Sequence, residues 1–225
     1  MHQGVRLSLR GASARVRYRL GRDYELDDTR LCQALLRPGD RVLEVGSAVG
    51  FLALYCTKVL GIRDYATVEA NPALGPIMAE NFRLNGMALP VCINAAIGAT
   101  SGTARFNVNR DYVSSSLAGQ GGTSIEVVQR TIPDILDALP FQPNVLVMDI
   151  EGAEVDLPLA HLCRFEKISA EFHGRWVGQE RIDRLLEGLQ QAGFRIVARE
   201  GWSLALSRVP LAGSCTSAPA LPGCA

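Results

Sequence analysis

The chain has no apolar run approaching the ~20 residues of a membrane-spanning helix, so no span is expected. It has no excess charge of either sign. Lys and Arg number 23, as do Asp and Glu, which argues against a nucleic acid or another polyanion as partner. Paired cysteines are lacking as well. Cys32, Cys56, Cys92, Cys163, Cys215 and Cys224 form no C-x-x-C and no zinc spacing, which predicts reduced thiols in a cytoplasmic protein. The arginines near the start are followed by no apolar segment, so a secretory signal is not expected. No internal repeat is visible. These absences leave a globular chain of 225 residues, a size suited to one α/β domain with a substantial core.

What is present is organised around Arg41–Gly50. Pro38–Gly39–Asp40 marks a turn, and Val42, Leu43 and Val45 read as a short buried strand of a parallel sheet. Gly46 and Gly50 follow at once, and Phe51 to Leu60 reads as a helix. Strand, glycine turn and helix N-terminus make a cofactor cradle, because glycine lets backbone approach a ligand closely. Glu44 at the strand's end offers a carboxylate to a cationic group. The dinucleotide fingerprint needs a third glycine, and Ser47 to Val49 separate only two here.

Before this turn, residues 1–23 are locally basic, and Val16, Tyr18 and Leu20 alternate with Arg15, Arg17 and Arg19. That is the period of an edge strand, or of a surface holding an anionic substrate. Asp27 or Asp28 is placed to cap a helix running to Leu36. After the turn, Tyr65–Glu69 is a second strand ending in an acid, nineteen residues beyond Gly50. A β-α-β unit of that span puts a carboxylate beside a bound ribose. Asn71 and Pro72 predict the next helix start and Asn85–Gly86 its stop. Val91–Gly98 reads as the third strand, with Ala95 and Ala96 leaving room for an adenine ring. Residues 103–108 and 124–129 look like two added strands. Between them lies the polar stretch 114–122, either a mobile active-site loop or a hairpin connection.

Asn144–Gly152 is the second strong signal. A buried strand delivers Asp149 and Glu151 at its C-terminal end, the ligand-binding end of an open α/β sheet. Glu154 follows, where an acid suits a helix start. Lys167–Gly174 is another acid-ended strand, with Glu171 and His173 on one face by the period of two. Asp149, Glu151, Glu171 and His173 are the candidate catalytic groups, with Asp149 or His173 as base. The acidic cluster could also hold a divalent ion, but no ligand spacing along the chain demands one. An amphipathic helix over Gln179–Ala192 and a hairpin over 195–206 close the domain, here given the bounds 24–207. Residues 208–225 are rich in Pro, Ser and Ala and predict a disordered tail.

Together, the 42–50 and 68–72 segments, Asn94–Gly98, Ser115–Leu117 and Met148–Glu154 resemble the FkbM-type family of class I S-adenosylmethionine-dependent methyltransferases. The likeness spans roughly Pro38 to Phe172. It implies a Rossmann-like fold, with a mostly parallel seven-stranded sheet and an antiparallel closing hairpin. It also implies one bound S-adenosylmethionine, held by Glu44, Gly46, Ser47, Gly50, Glu69, Ala70, Ala96 and Asp149. The implied reaction is O-methylation of a hydroxyl on a small molecule or glycan. A nicotinamide-dependent dehydrogenase and a catalytically silent cofactor-binding module are the rival readings.

Overall fold

The computed structural model describes residues 3–8, 18, 24–108 and 123–211. The chain runs α1 (Leu26–Leu35), β1 (Arg41–Val45), α2 (Phe51–Lys58), β2 (Asp64–Glu69), α3 (Gly75–Leu84) and β3 (Val91–Asn94). Next come β4 (Ala96–Ile97), β5 (Gly102–Val108), β6 (Thr123–Arg130) and α4 (Ile132–Ala138). After β7 (Val145–Met148), a 3-10 turn (Ala153–Asp156) and α5 (Leu159–Leu162) lead to β8 (Lys167–Glu171). Then α6 (Gly174–Val177) and α7 (Gln179–Gln191) precede the hairpin of β9 (Arg195–Glu200) and β10 (Ser203–Ser207).

Seven strands form one sheet in the order β3-β2-β1-β7-β8-β10-β9. All neighbours are parallel except β10, which runs antiparallel to both β8 and β9. Alternation along each buried strand feeds two cores. Leu43, Val45, Leu146 and Met148 face α4, α5 and α7, while Val42, Val145 and Val147 face α1, α2 and α3. From β1 the chain winds outward to β3, then returns to β7 on β1's other side. That reversal opens a crevice beyond the C-terminal ends of β1 and β7, where an open α/β sheet binds ligands.

Several local expectations change. The third strand divides, with β3 pairing with β2 while β4 crosses to β6 in a small sheet ordered β4-β6-β5. The cause is at Asn94, whose Nδ2 donates to the carbonyls of Glu69 (2.7 Å) and Ala70 (3.2 Å), ending the β2 ladder there. The helix expected from Pro72 starts at Gly75. Asn71 first closes a turn, its Oδ1 accepting from Ala73 N–H at 3.1 Å, and Pro76 has no N–H to donate to the Pro72 carbonyl. In α1 the N-cap is Glu25, in the left-handed region, and Asp27 and Asp28 occupy the first turn without capping.

Of the expected edge strand only Tyr18 is among the described residues, and its side chain is exposed. Val5 is buried in the core beside α2, and Ser8 N–H donates to Asn81 Oδ1 at 2.7 Å, so residues 3–8 pack onto the domain. The remaining residues of the expected edge strand, the 114–122 stretch and residues 212–225 of the expected tail lie outside the described residues. Among those described, no helix is long and apolar enough to cross a membrane.

Candidate active site

The crevice holds an open cleft whose empty space, solvent at its mouth included, is about 710 Å³. Its floor is the turn after β1. Gly46 adopts φ 86°, and a Cβ there would collide with the Asp149 carbonyl oxygen, so only glycine lets β1 and β7 deliver both chains to the same point. Gly46 N–H donates to Val68 O at 2.9 Å, and Ala48 N–H to Glu69 Oε2 at 2.8 Å. Glu69 Oε1 accepts from Asn71 N–H at 2.7 Å. One carboxylate thus ties the glycine turn to the end of β2.

Ala70, Ala95, Ala96, Ile97 and Phe106 line one wall, Asp149, Ile150 and Glu151 the other, and Tyr24 and Glu25 the rim. Gly46, Glu69, Ala70, Ala96, Asp149 and Glu151 therefore line the cleft as the sequence expects. Glu44, Ser47 and Gly50 do not. By the strand's alternation Glu44 faces the α1–α3 side with Val42; it is buried, its Oε2 unpartnered, and burial pushes its pKa up to about 8. Ser47 is buried behind the turn. Gly50 adopts φ 76° and packs on Met78, which a Cβ would push aside.

Beside the cleft, four carboxylates surround one imidazole. His173 Nε2 lies 3.4 Å from Glu151 Oε2, 3.6 Å from Asp149 Oδ1 and 3.7 Å from Glu171 Oε1. Nδ1 faces Glu154 Oε1 at 3.5 Å, and the same oxygen accepts from Ile150 N–H at 3.0 Å. Glu154, assigned to a helix dipole on sequence, is fully buried here. Burial works against the charge on His173, but the Glu154 contact and the carboxylates of Asp149, Glu154 and Glu151 outweigh it, raising its pKa to about 9. That shift favours the protonated imidazole at neutral pH, a form that cannot itself accept a proton. Asp149 is pushed well above the usual carboxylate range, by burial and by Glu171 against the opposing pull of His173. Burial raises Glu151 and Glu69 too.

The rim continues the acidic field. Burial and Asp28 push Glu25 well up, and burial and Glu171 bring Asp28 to about 6. Glu25, Ala48 and Glu151 all line the cleft with φ between 45° and 55°, a conformation that costs a non-glycine residue about 1–2 kcal/mol. Neither this strain nor the rim residues Tyr24 and Glu25 leave a periodic trace in sequence.

A family model described as Methyltransferase FkbM domain matches residues 44–196. Among solved structures, the chain is similar to an rRNA methylase from Streptococcus thermophilus, at 8% identity and a TM-score of 0.51, covering 81% of this chain and 93% of that one. It is also similar to the ribosomal protein L11 methylase of Lactobacillus delbrueckii subsp. bulgaricus, at 18% identity, 79% and 74% coverage and a TM-score of 0.47. A third is precorrin-6y C5,15-methyltransferase from Geobacter metallireducens GS-15, at 12% identity, 79% and 83% coverage and a TM-score of 0.48. At such identities likeness speaks for the fold alone, and only the first score is high enough to do so. No match is found among curated proteins.

Proposed function

The chain belongs to the FkbM methyltransferase family, and from that premise we propose that it methylates a hydroxyl oxygen of a small molecule or sugar. Its cofactor is S-adenosylmethionine, which supplies an electrophilic methyl group on a sulfonium. The residues present fit that group. The floor at Gly46 has no room for a Cβ, Glu69 sits where a ribose diol can donate to a carboxylate, and Ala95 and Ala96 leave a flat apolar wall for a purine.

The observation that carries the hydroxyl reading is the acid–imidazole cluster at the cleft's edge. A hydroxyl is a weak nucleophile, and its proton needs an acceptor as the new C–O bond forms and the C–S bond breaks toward sulfur. Asp149, Glu151 and Glu171 supply oxygens for that proton, acting as a coupled set rather than singly. His173, held cationic, offsets their charge and orients them. Alignment of acceptor and methyl group in the cleft supplies the rest of the rate. The same carboxylates repel phosphates, which with the balanced overall charge favours a small acceptor over a nucleic acid.

Transfer of labelled methyl from S-adenosylmethionine to a panel of sugars, hydroxylated small molecules, amines and RNA tests this. The expected result is product on oxygen, with Asp149→Asn lowering the maximal rate by ~10²–10⁴. Methyl recovered only on nitrogen or RNA would overturn the reading.

A further inference from the structure

Resting on the hydroxyl reading above, we propose that Trp176 and Trp202 form the platform on which the acceptor stacks, and that this acceptor is a sugar ring. They are the chain's only two tryptophans, and they are 66% and 58% exposed, whereas all seven phenylalanines are buried or half-buried. Apolar residues scattered singly over a surface need no explanation, but these two indoles stand on one edge of the sheet. Trp202 lies in the turn between β9 and β10, and the next residue, Ser203, pairs with Glu171 at the C-terminal end of β8. Trp176 is on α6, which begins directly after His173.

Hydrogen bonds fix both backbones to the link between β8 and α6. Trp176 N–H donates to the His173 carbonyl at 2.9 Å, and Phe172 N–H donates to the Trp202 carbonyl at 3.1 Å. Glycines let both residues come in close. A Cβ on Gly152, one residue beyond Glu151 of the cleft wall, would sit 3.5 Å from Trp176 Cβ, and one on Gly174 3.9 Å from Trp202 Cζ3. His173, to which both tryptophans are thus tied, has its Nε2 3.4 Å from Glu151 Oε2, so the platform adjoins the cleft. On its other side Ser203 Oγ donates to Asp28 Oδ1 at 3.2 Å, which ties the turn to α1 beside Glu25 of the rim. The two tryptophans are far apart in the chain and reach one edge because β10 folds back antiparallel on β8.

An indole offers a flat apolar surface with few rotatable bonds, so stacking on it costs little side-chain entropy. A pyranose ring has a face of C–H groups for that surface and hydroxyls around its edge for the oxygens of Glu151 and Glu171. Those oxygens repel a phosphorylated or carboxylated acceptor. A quaternary ammonium also favours an indole face, but it would meet the imidazolium that the cluster favours. A phenol would stack while bringing a single hydroxyl to several acceptors.

Because these are the only tryptophans, their own fluorescence reports the site. The test is titration of the full-length protein, loaded with S-adenosylhomocysteine, with methyl glucoside, galactoside, mannoside and fucoside, and in parallel with catechol and choline. We expect at least one pyranoside to shift the emission to the blue and to saturate in the millimolar range. Trp176→Ala and Trp202→Ala should each weaken that pyranoside about tenfold in saturation-transfer NMR, and the phenylalanine variants less, with S-adenosylmethionine affinity within about twofold of wild type. In turnover the alanine variants should raise KM for the pyranoside and leave kcat, a split that a merely structural loss would not give. No saturable response of the wild type to any pyranoside, a response to catechol or choline alone, or unchanged sugar affinity in both alanine variants overturns the proposal. Binding is read without methyl transfer, so the two readings fail separately. A protein silent to pyranosides that methylates another hydroxyl overturns the platform alone; one that binds a pyranoside through the tryptophans but methylates only nitrogen overturns the hydroxyl reading.

Discussion

Glu69 accepts from Ala48 and Asn71 through separate oxygens, so its loss acts on the glycine turn and on the proposed ribose contact together. Glu69→Ala is expected to weaken S-adenosylmethionine binding by about 10- to 100-fold, the scale of one or two lost charge-assisted bonds. Glu69→Gln, which keeps an acceptor but no charge, should fall between. Calorimetry giving an unchanged dissociation constant for the alanine variant would place the ribose elsewhere. Ala48 offers a separate reading of strain, since it holds φ 45° so that its N–H can reach Glu69. Glycine there relieves that strain but adds unfolded-state entropy. Ala48→Gly is therefore expected to change stability by less than about 0.5 kcal/mol, and Ala48→Val to cost at least ~1 kcal/mol. Denaturant titration showing a large loss for glycine would mean the left-handed conformation is not costly here.

Three strands are riveted at the edge away from the cleft. Asp40, just before β1, accepts from Lys167 Nζ on β8 at 2.7 and 2.9 Å. Asn144, before β7, takes Arg41 N–H on its Oδ1 (2.8 Å) and donates through Nδ2 to Asp40 (3.2 Å). Asp40 and Lys167 are both buried. Removing one charge strands the other, so Lys167→Met is expected to cost about 3–5 kcal/mol. Adding Asp40→Leu should recover much of that loss. A urea-denaturation double-mutant cycle measures the coupling, and additive losses would show that the pair does not act as a unit. The rivet matters to function through register, because it sets where β7 and β8 end and hence where Asp149 and Glu171 emerge.

At the scale of the whole molecule, carboxyls buried near the cleft make stability depend on pH. Glu44 titrates near 8 and Asp28 near 6 in the folded state, against 4.5 and 3.8 as ordinary values. The folded state therefore holds more protons than the unfolded one across these windows. Stability falls as pH rises from about 4.5 through 8, by up to ~1.4 kcal/mol per pH unit for each group in its window. Glu44→Gln should flatten the segment above pH 6 and raise the melting temperature at pH 8. A wild-type melting temperature that climbs between pH 6 and 8 would contradict this. Binding acts on the same balance: S-adenosylmethionine at a hundred times its dissociation constant should add about 2.7 kcal/mol. NADH, for which the turn lacks the third glycine, should add none in the same thermal-shift measurement.

Sequence alone determined most of the fold and the sheet edge at which the candidate site lies. The apolar runs of β1, β7 and β8, the glycines at 46 and 50 and the acid ending β2 are local signals, and each strand delivers its last residue to the same edge whatever the loops do. Tertiary structure decided what those residues face. Glu44 turned to the helices rather than the cleft because a strand alternates its sides. The field that favours a cationic His173 exists only where Glu154, Asp149 and Glu151 converge on it from a neighbouring strand end. The division of the third strand and the late start of α3 followed from side-chain bonds at Asn94 and Asn71 and from the missing N–H of Pro76. Such charges and bonds depend on distances between residues far apart in the chain, and periodicity carries no record of them.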